Sequence, residues 1–286
     1  MKIACFAESY NFKSKEERQA MEIFKSTAES MGHSFDVLGK EILSRIDDYD
    51  SIFIRATTDP LFVSYVVSRL AEEKGKKVID DSESIRICSN KIDMYKRLMK
   101  NSVRIPKTLF FYGDFENLES YAEQLGYPVV VKSPNSRFSL YVEKANSYQE
   151  LVKTAKRFMK RSKALILQEY LPTAFDWRVG VLKGEVIYVC KYLMPKGGWK
   201  VCDNVEGKKT WGDVRAIKVK NAPTELRKTA VMAAKSIGDG LYGVDIKEVN
   251  GCYYVIEVND NPTIMHGYED AKNPELYQKI IQALVG

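Results

Sequence analysis

The sequence predicts an α/β unit followed by units in which helices and antiparallel strands are mixed, and three observations support this fold class. Strand-like and helix-like segments alternate through the first ninety residues, which is typical of a parallel sheet covered on both faces. The pattern then becomes α+β, and two later strand pairs are joined at Lys183-Gly184 and Asn250-Gly251, which have the two-residue form of a hairpin turn. The 286 residues, 45% of them hydrophobic, suffice for roughly two or three compact units.

The first unit is predicted to contain four strands that alternate with helices. The predicted strands are 2–7, 34–38, 51–56 and 76–80. Ser14 and Glu17 have the spacing of a capping box, which indicates the start of a helix that ends near Gly32. A further helix is predicted over 60–74 and ends at Gly75, so that strand and helix alternate as a βα unit requires.

The rest of the chain is predicted to form a mixed unit and then a mainly antiparallel one. A helix that contains Lys91 ends before Pro106. Predicted strands then occupy 107–112, 127–133, 140–145 and 164–171, with helices over 114–125 and 147–161 and a loop at 134–139. The two hairpins comprise 176–194 and 241–260; helices are predicted between Pro223 and Gly238 and from 273 onward. Residues 195–212 are predicted to be one long polar loop, and such loops are usually lids or binding loops.

Composition excludes several classes of function. The net charge of +6, from 44 basic and 38 acidic residues, suits anionic ligands but is too small to indicate nucleic-acid binding. Five cysteines without a C-x-x-C spacing are expected to be reduced, and two histidines are too few for a typical zinc site. No apolar run approaches the roughly 20 residues of a membrane span, and the N-terminus is too polar for a signal peptide. A cytoplasmic protein without membrane or nucleic-acid partners is therefore expected.

Oxygen-bearing side chains are concentrated at the end of the last predicted strand, in YYVIEVNDNPTI. Given the turn at Asn250-Gly251, a slip or a bulge of one residue would bring Asp245, Glu257 and Asn259 to one face of the sheet. Two carboxylates and an amide oxygen, without His or Cys, favour Mg²⁺ or Mn²⁺ over zinc. The alternative is that these side chains are solvated on an exposed face. The apolar flanks favour the metal site, because unpaired carboxylates in a buried sheet are costly.

Three lysines lie where a polyphosphate bound to such a metal would need positive charge. Lys132 ends the apolar strand YPVVV, Lys91 begins a helix, and Lys191 lies inside the strand IYVCKYLM. Each lysine alone is more often structural, but together with the acidic site they predict a nucleotide pocket. The strand LILQEYLP would present its backbone to adenine, with Glu169 or Asp176 at a ribose hydroxyl; the alternative is an edge strand ended by proline. P-loop and Rossmann nucleotide-binding motifs are absent.

These segments occur in the order found in the ATP-grasp superfamily, and the chain resembles its RimK-like carboxylate–amine ligases. The similarity extends from about residue 53 to the C-terminus. The segments that carry it are VIDDSESIRICSNK (78–91), KSPNSRFS (132–139), FDWRVGVLKGE (175–185), VCKYLMPKGGW (189–199) and VIEVNDNPTI (255–264). Each segment alone is a weak signal, whereas all five in this order are specific.

The resemblance implies an ATP-grasp fold, with a Rossmann-like pre-ATP-grasp domain at 1–95, a small central lobe at 96–171 and a C-terminal lobe at 172–286. It implies that ATP contacts Lys91, Lys132, Gln168, Glu169, Tyr170, Leu171, Asp176 and Lys191. The metal residues Asp245, Glu257 and Asn259 would hold two Mg²⁺, with Mn²⁺ as a substitute. The resemblance also implies that Arg178, together with Lys132, stabilises charge on the transferred phosphoryl group.

The implied activity is amide formation through an acyl phosphate, with release of ADP and phosphate. Glutamate or another amino acid would be joined to a small molecule, a peptide or a protein tail, and relatives of this kind form dimers or tetramers. Arg55, Thr57 and Thr58 lie at a predicted strand end where ligands commonly bind, so we expect them to contact substrate. Lys200, in the predicted loop, is expected to face the acceptor.

Two alternative functions remain open from the sequence. One is an ATP-grasp kinase that phosphorylates a hydroxyl group, and the other is a module that binds ATP without turnover. The module is suggested by Tyr141, which stands where relatives have a glycine that permits close approach to phosphate. It is also suggested by Met265, which stands where relatives tend to have an acid.

Overall fold

The computed structural model describes residues 1–113, 115–135, 140–205 and 208–286, without the side chains of residues 204, 205, 208 and 209. Most of the predicted loop at 134–139, which belongs to one of the family-like segments, lies outside the described residues. In the part of the chain that the structure describes, no helix is long and apolar enough to cross a membrane.

The N-terminal sheet is parallel, as the βα alternation predicts. Its strands are β1 (Lys2–Phe6), β2 (Ser34–Leu38), β3 (Ser51–Ile54) and β4 (Lys77–Ile79), in the order β2-β1-β3-β4. The connecting helices are α1 (Lys15–Ser30), the unpredicted short α2 (Ile42–Arg45) and α3 (Val63–Glu73). Ser14 is confirmed as the N-cap of α1, because its Oγ accepts a hydrogen bond of 3.0 Å from the Glu17 amide.

Two helices connect this sheet to the rest of the chain. They are α4 (Ser82–Cys88), which the sequence did not predict, and α5 (Lys91–Lys100). Asn90 caps α5, since its Oδ1 accepts hydrogen bonds from the amides of Ile92 and Asp93. This cap places Lys91 at the first position of α5, where its side chain is 4% exposed. The proposed division between residues 95 and 96 falls within α5.

The second sheet is antiparallel and is covered by two helices. Its strands are β5 (Thr108–Tyr112), β6 (Val129–Lys132), β7 (Val142–Ala145) and β8 (Ala164–Glu169), in the order β5-β8-β6-β7. The helices α6 (Leu118–Leu125) and α7 (Tyr148–Phe158) pack on it through an apolar cluster that includes Leu118, Leu151 and Phe158. Ser147 caps α7 by accepting from the Glu150 amide, as its spacing predicts.

The third sheet has five antiparallel strands. They are β9 (Phe175–Leu182), β10 (Glu185–Leu193), β13 (Val214–Ile217), β14 (Leu241–Val249) and β15 (Cys252–Asn259), in the order β13-β10-β9-β14-β15. Both predicted hairpins are confirmed. The helix α8 (Thr224–Ile237) packs on one face of this sheet, and α9 (Leu276–Val285) joins the opposite face to the N-terminal unit. Phe24 and Tyr277 meet edge to face across that junction, with ring centroids 4.7 Å apart.

The predicted loop at 195–212 is wrong in part, because it contains a two-stranded ribbon of β11 (Cys202–Val205) and β12 (Lys208–Trp211). The polar composition concealed these strands. A ribbon of this kind is held by main-chain hydrogen bonds and needs few apolar side chains. It brings Trp199, Lys200 and Val201, which directly precede β11, against the second sheet.

Candidate active site

Two cavities adjoin at the carboxylates of β14 and β15. The first, which we call the hinge cavity, has a volume of about 110 Å³ and lies between the second and third sheets. It is lined by Lys91, Lys132, Gln168, Glu169, Tyr170, Leu171, Asp176, Trp199, Lys200, Asp245, Lys247 and Glu257, among others. The second, the distal cavity, has a volume of about 270 Å³ and includes Tyr10, Glu17, Arg55, Thr57, Thr58, Arg178, Tyr192 and Asn259. Asp245 and Glu257 line both cavities.

A third and larger groove, of about 690 Å³, runs along α8. None of the predicted site residues lines it, and it has none of the paired carboxylates that distinguish the other two cavities. Its size alone therefore does not make it the better candidate for a catalytic site.

A β-bulge aligns the carboxylates of β14 and β15. The strands pair without a shift from Val249↔Cys252 to Ile246↔Val255, after which the register changes and Asp245 lies opposite Glu257. Of the slip and the bulge that the sequence left open, the structure therefore has the bulge. Asn259 follows on the same face, and its amide nitrogen donates to Asp245 Oδ2 at 3.2 Å. The same nitrogen also donates to the Gly243 carbonyl at 3.2 Å, so these two hydrogen bonds use the amide nitrogen and not the Oδ1 atom of Asn259.

Glu257 is paired with the lysine that begins α5. The Lys91 ammonium donates to Glu257 Oε1 at 2.6 Å. Burial alone would raise the pKa of Glu257, but the charge and hydrogen bond of Lys91, with help from Lys132 and Arg178, hold it below its ordinary value. Glu257 is therefore ionised at neutral pH and carries negative charge at the junction of the two cavities.

Asp245 is paired with Arg178 from the neighbouring strand β9. The guanidinium makes a two-pronged contact, with Nη2 donating to Asp245 Oδ2 at 3.0 Å and Nε donating to Oδ1. Burial raises the pKa of Asp245, and the charge of Arg178 opposes that rise. Each carboxylate of the site thus already has one cationic side chain against it.

The oxygen donors at this junction fit a hard divalent cation. Asp245, Glu257 and Asn259 offer two carboxylates and one amide oxygen, which is the donor chemistry of Mg²⁺ sites. Among the described residues, no group of three or more His, Cys, Asp or Glu side chains forms a metal site by itself. The donor set is therefore of the kind that a bound ligand, such as a polyphosphate, completes.

Lys132 lies at the end of β6 with its ammonium buried. It donates to the Tyr95 hydroxyl at 2.8 Å, and that hydroxyl in turn donates to the Ile256 carbonyl at 2.6 Å. Burial lowers the pKa of Lys132 to about 8, although nearby Glu257, Asp176 and Asp245 oppose this. An anion that entered the hinge cavity would stabilise the charged form of this lysine.

The predicted adenine-binding strand forms one wall of the hinge cavity, and its polar side chains are held by β5. Gln168 Nε2 donates to Thr108 Oγ1 at 2.7 Å, and Glu169 Oε1 accepts from the Lys107 amide at 2.6 Å. Tyr170 and Leu171, which follow this strand, line the cavity together with Gln168 and Glu169.

Asp176 lines the same cavity and has a partner that the sequence did not predict. Lys247 donates to Asp176 Oδ1 at 2.6 Å and to Thr173 Oγ1 at 2.7 Å. The available signal was the strand period, since Asp245 and Lys247 are two residues apart in β14 and share a face.

The structure does not bring Lys191 to either cavity. Its ammonium lies 4.2 Å from the ring centroid of Phe175 and 4.7 Å from that of Trp177, on the other face of the third sheet. The cause is a register shift between Val186 and Tyr188, after which Lys191 pairs with Trp177. Without that shift Lys191 would pair with Asp176 and share its face, so the predicted phosphate contact has no support in this placement.

Trp199 and Lys200 close one side of the hinge cavity. Lys200 donates to the Val142 carbonyl at 3.1 Å, and the rings of Trp199 and Tyr170 meet edge to face at 5.9 Å. Lys144 lies 4.6 Å from the centroid of the Tyr170 ring. The cavity, at about 110 Å³, is smaller than the roughly 300–1,000 Å³ of typical ligand pockets, so a ligand of that size would fit only if this side moved. Lys200 lines the hinge cavity, although the sequence predicts that it faces the acceptor.

In the distal cavity, Arg55 is engaged with the segment that follows β15. Its Nη1 donates to Asn261 Oδ1 at 2.7 Å and its Nη2 to the Pro262 carbonyl at 2.9 Å. Thr57 Oγ1 donates to the Tyr10 hydroxyl at 2.7 Å, and the buried Thr58 lies beside it. The three predicted substrate residues are thus brought to one cavity, where Arg55 also fixes the loop.

Three further residues of the distal cavity were missed by sequence reasoning. Tyr10 and Glu17 come from the N-terminal segment and Tyr192 comes from β10. Burial raises the pKa of Glu17, partly offset by its hydrogen bond with Ser14. No local pattern marks these residues, because only the packing of the N-terminal unit against the third sheet brings them together.

The two residues that depart from the family pattern are both accommodated locally. Tyr141 has a φ of 54°, the left-handed conformation that glycine adopts readily. Its ring packs edge to face on Phe158 at 5.5 Å and beneath Arg161, and Tyr141 does not line the hinge cavity. The amide of Met265 donates to Glu269 Oε2 at 2.8 Å, so an acid approaches this position from four residues further along the chain.

A family model for the RimK-like ATP-grasp domain matches residues 88–284 of the chain. Two curated relatives have names of one kind. A coenzyme gamma-F420-2:alpha-L-glutamate ligase of Methanococcus maripaludis is 30% identical over 70% of this chain and 68% of its own. A probable alpha-L-glutamate ligase 2 of Pseudoalteromonas atlantica is 27% identical over 100% of this chain and 95% of its own.

Solved structures resemble the whole chain. A RimK domain ATP-grasp protein from Sphaerobacter thermophilus superposes with a TM-score of 0.73 at 16% identity, covering 100% of both chains. The ATP-grasp ligase PsnB, complexed with a variant of its minimal precursor, Mg and ADP, superposes with a TM-score of 0.70 at 16% identity over 99% of this chain and 97% of its own. At such identities the likeness is one of fold.

Proposed function

The chain belongs to the RimK-like ATP-grasp family and has the ATP-grasp fold, and from this premise we propose that it is an ATP- and Mg²⁺-dependent carboxylate–amine ligase. It forms an amide through an acyl phosphate and releases ADP and phosphate. The observation that carries the proposal is the meeting of two cavities at Asp245 and Glu257, with Arg178 beside one carboxylate and Lys91 beside the other. A phosphoryl group can be transferred between cavities at such a junction.

We assign ATP to the hinge cavity. The main chain of Tyr170 and Leu171 would meet adenine, Asp176 would meet the ribose, and the ammonium groups of Lys91 and Lys132 would meet the phosphates. Mg²⁺ held by Asp245, Glu257 and Asn259 would neutralise charge on the phosphates. Lys132 retains its proton more readily once an anion is near, because its low pKa is a consequence of burial.

We assign the carboxylate substrate to the distal cavity, where Arg55 and Arg178 supply positive charge. An oxygen of that carboxylate attacks the γ-phosphorus, and the bond to the β–γ bridging oxygen breaks, so that ADP leaves. An amine then attacks the acyl carbon, loses a proton, and displaces phosphate. In both steps the protein aligns the reactants, and Arg178 stabilises charge on the transferred group. No Ser–His–Asp or Cys–His arrangement is needed for this chemistry.

We propose glutamate as the amino acid that is added, supported by the names of the curated relatives. The molecule to which glutamate is joined is a small molecule, a peptide or a protein tail. We also propose a cytoplasmic location, where ATP is supplied and where the five cysteines would stay unbonded as they are in the structure. Assembly into a dimer or tetramer is proposed by analogy with other ligases of this kind.

The experiment is a matrix of amino acids and peptides incubated with ATP and either Mg²⁺ or Mn²⁺. ADP and phosphate are measured, and mass spectrometry looks for a product lighter than its two substrates by one water. ADP release that requires both a carboxylate and an amine supports the ligase. ADP release with an alcohol and no amine would make the protein a kinase, and ATP binding without turnover would make it a binding module.

Two alanine variants distinguish enzyme turnover from a contaminating ATPase. Asn259→Ala should lower the rate by orders of magnitude, because it removes an oxygen of the metal site. Asn101→Ala should leave the rate unchanged, because Asn101 is exposed at the end of α5 and lines neither the hinge nor the distal cavity. Wild-type rates from Asn259→Ala would contradict the metal assignment.

A further inference from the structure

A partly buried tyrosine, Tyr192, and a fully buried glutamate, Glu269, lie directly behind Arg178. Arg178 and Tyr192 lie on the same face of neighbouring strands β9 and β10, and the Arg178 Cζ atom is 5.0 Å from the centroid of the Tyr192 ring. The Tyr192 hydroxyl donates to Glu269 Oε1. The side chain of Tyr192 therefore touches the guanidinium on one side and is anchored by a carboxylate on the other.

The buried position of Glu269 is energetically unfavourable for a carboxylate. Glu269 is 0% exposed, and its second oxygen accepts from the Met265 amide. Burial raises the pKa of Glu269, while the hydrogen bond from Tyr192, the Met265 amide and the charge of Arg178 oppose the rise. An apolar pair would fill this space at lower cost, because a buried carboxylate loses its hydration. The arrangement is better explained by what it does for Tyr192 and Arg178.

Arg178 needs support that does not depend on Asp245. In the described part of the chain, the hydrogen bonds of its guanidinium both go to Asp245. Asp245 is a proposed metal ligand, so a bound cation would compete with Arg178 for the same two oxygens. The contact with Tyr192 involves the face of a ring and no carboxylate. It would persist when the metal and ATP are bound, which is when Arg178 has to be in place.

We propose that Tyr192 and Glu269 are positioning residues that hold the Arg178 guanidinium at the junction of the two cavities. This inference rests on the proposed function, since it concerns the group that stabilises the transferred phosphoryl. The Tyr192 ring holds the Arg178 guanidinium in place, and Glu269 holds Tyr192 in place by accepting the hydrogen bond from its hydroxyl. Neither residue lines the hinge cavity to which ATP is assigned, whereas Tyr192 also lines the distal cavity, so positioning predicts a loss of kcat with KM for both ATP and the carboxylate substrate unchanged.

The test is a double-mutant cycle of Tyr192→Phe and Glu269→Ala, with kcat, KM for ATP and for the carboxylate substrate, and melting temperature measured for each protein. Each single variant should lower kcat by about five- to tenfold, because a small misplacement of a catalytic group slows the chemical step while ATP binds as before. The double variant should be little slower than either single one, because both act through the same contact. Glu269→Gln should restore much of the rate, because its amide can still bond both Tyr192 and Met265.

Two controls separate positioning from stability and from failure of the proposed function. Tyr49→Phe removes a comparable hydrogen bond from a buried tyrosine to Asp36, remote from both cavities, and should leave kcat unchanged. Binding of ADP, Mg²⁺ and aluminium fluoride, a mimic of the transferred phosphoryl, should weaken in Tyr192→Phe, whereas binding of ADP and Mg²⁺ should not.

Different results would overturn different claims. If the wild type turns over and the two single variants match it within about twofold, or if their losses follow the melting temperature and add in the double variant, the positioning role is wrong and the ligase stands. If the wild type neither turns over any carboxylate–amine pair nor binds the aluminium fluoride complex, the proposed function fails and the positioning role fails with it.

Discussion

The hinge cavity and the distal cavity share Asp245 and Glu257 but are built in different ways. Most polar residues of the hinge cavity project from the strands β6, β8, β9, β14 and β15, at positions that the strand period fixes. The distal cavity combines strand residues of the third sheet with residues of the N-terminal unit and of the segment after β15, such as Tyr10 and Asn261, which are far apart in sequence. The surface that would contact ATP is thus determined mainly by strand geometry. The surface that would contact the carboxylate substrate is determined mainly by how the units pack together.

This difference suggests how one family can retain its chemistry and change its substrates. A substitution of Asp245 or Glu257 alters both cavities, because these two carboxylates line both. A substitution in the N-terminal segment alters the distal cavity alone. Residues such as Tyr10, Glu17 and Thr57 can therefore determine which substrate is accepted without disturbing ATP.

The largest effect is expected at the shared junction. Asp245→Asn keeps the shape of the side chain but removes its charge from the metal site and from Arg178. We expect kcat to fall by about 10³-fold or more, since loss of several kcal/mol of charge stabilisation corresponds to that factor. Steady-state ADP release with the substrates identified in the matrix measures it. The control is Asp50→Asn, because Asp50 is exposed and accepts a hydrogen bond from the Lys2 amide; this variant should leave kcat unchanged. Asp203→Asn is not a suitable control, because Asp203 contacts Lys200.

The junction is also the part of the site that could be predicted most fully from the sequence. Asn250-Gly251 fixes the hairpin, the hairpin fixes which residues of β14 and β15 are opposite, and one bulge completes the alignment of Asp245 and Glu257. Lys191 shows the limit of the same reasoning. The face of the sheet on which Lys191 lies depends on a bulge in β10 that no residue type in the sequence indicates. A register shift of one position moves every side chain beyond it to the opposite face.

The distal cavity could be predicted only in part. The sequence could identify Arg55, Thr57 and Thr58, because they follow a strand of a parallel sheet, where ligands commonly bind. Glu17 was recognised only as a capping residue, and Tyr192 only as part of a strand. Their common location depends on the packing of α9 and the N-terminal sheet against the third sheet, which is a long-range property that local patterns do not contain.

An intermediate effect is expected from Arg55, and it should be confined to the distal cavity. Arg55→Lys keeps the charge but cannot hold Asn261 and the Pro262 carbonyl together, because an ammonium lacks the planar fork of a guanidinium. We expect KM for the carboxylate substrate to rise by about tenfold, with the affinity for ATP unchanged within about twofold. Initial rates at varied substrate, with calorimetry for ATP, measure both. Arg45→Lys, on the exposed α2, is the matched control. A change in ATP affinity without a change in this KM would contradict the separation of the cavities.

A smaller effect, confined to the hinge cavity, is expected from pH. Burial lowers the pKa of Lys132 from 10.5 to about 8, and only the charged form attracts phosphate. ATP affinity should therefore be constant below pH 7 and fall above pH 8, by at most about tenfold per pH unit. Calorimetry between pH 6.5 and 10 measures it, with net proton uptake on binding above pH 8. Lys132→Arg should bind ATP with little pH dependence over this range, because arginine keeps its proton.

The same lysine gives a stability effect of opposite sense. The unfolded chain holds a proton on Lys132 up to about pH 10.5, whereas the folded chain releases it above about 8. Between these values the unfolded state binds more protons, so the contribution of Lys132 to folding stability improves as pH rises through the window. Chemical denaturation of wild type and Lys132→Met across pH 7 to 10 isolates this contribution. A difference between the two proteins that does not change with pH would show that the Lys132 pKa is not lowered in the folded state.

The smallest effect is expected from Tyr141, and it concerns folding stability alone. Because its ring packs on Phe158 and away from the hinge cavity, Tyr141→Gly should leave ATP affinity unchanged. The variant relieves a left-handed conformation but loses more in ring contacts and chain entropy, so we expect a loss of about 1 kcal/mol in the free energy of unfolding. Lys183→Gly is the matched control: it has a φ of 47°, its exposed side chain packs on little, and its replacement should stabilise by about 0.5 kcal/mol. Tighter ATP binding by Tyr141→Gly would mean that the tyrosine restricts the approach of phosphate to the hinge cavity even though it does not line it.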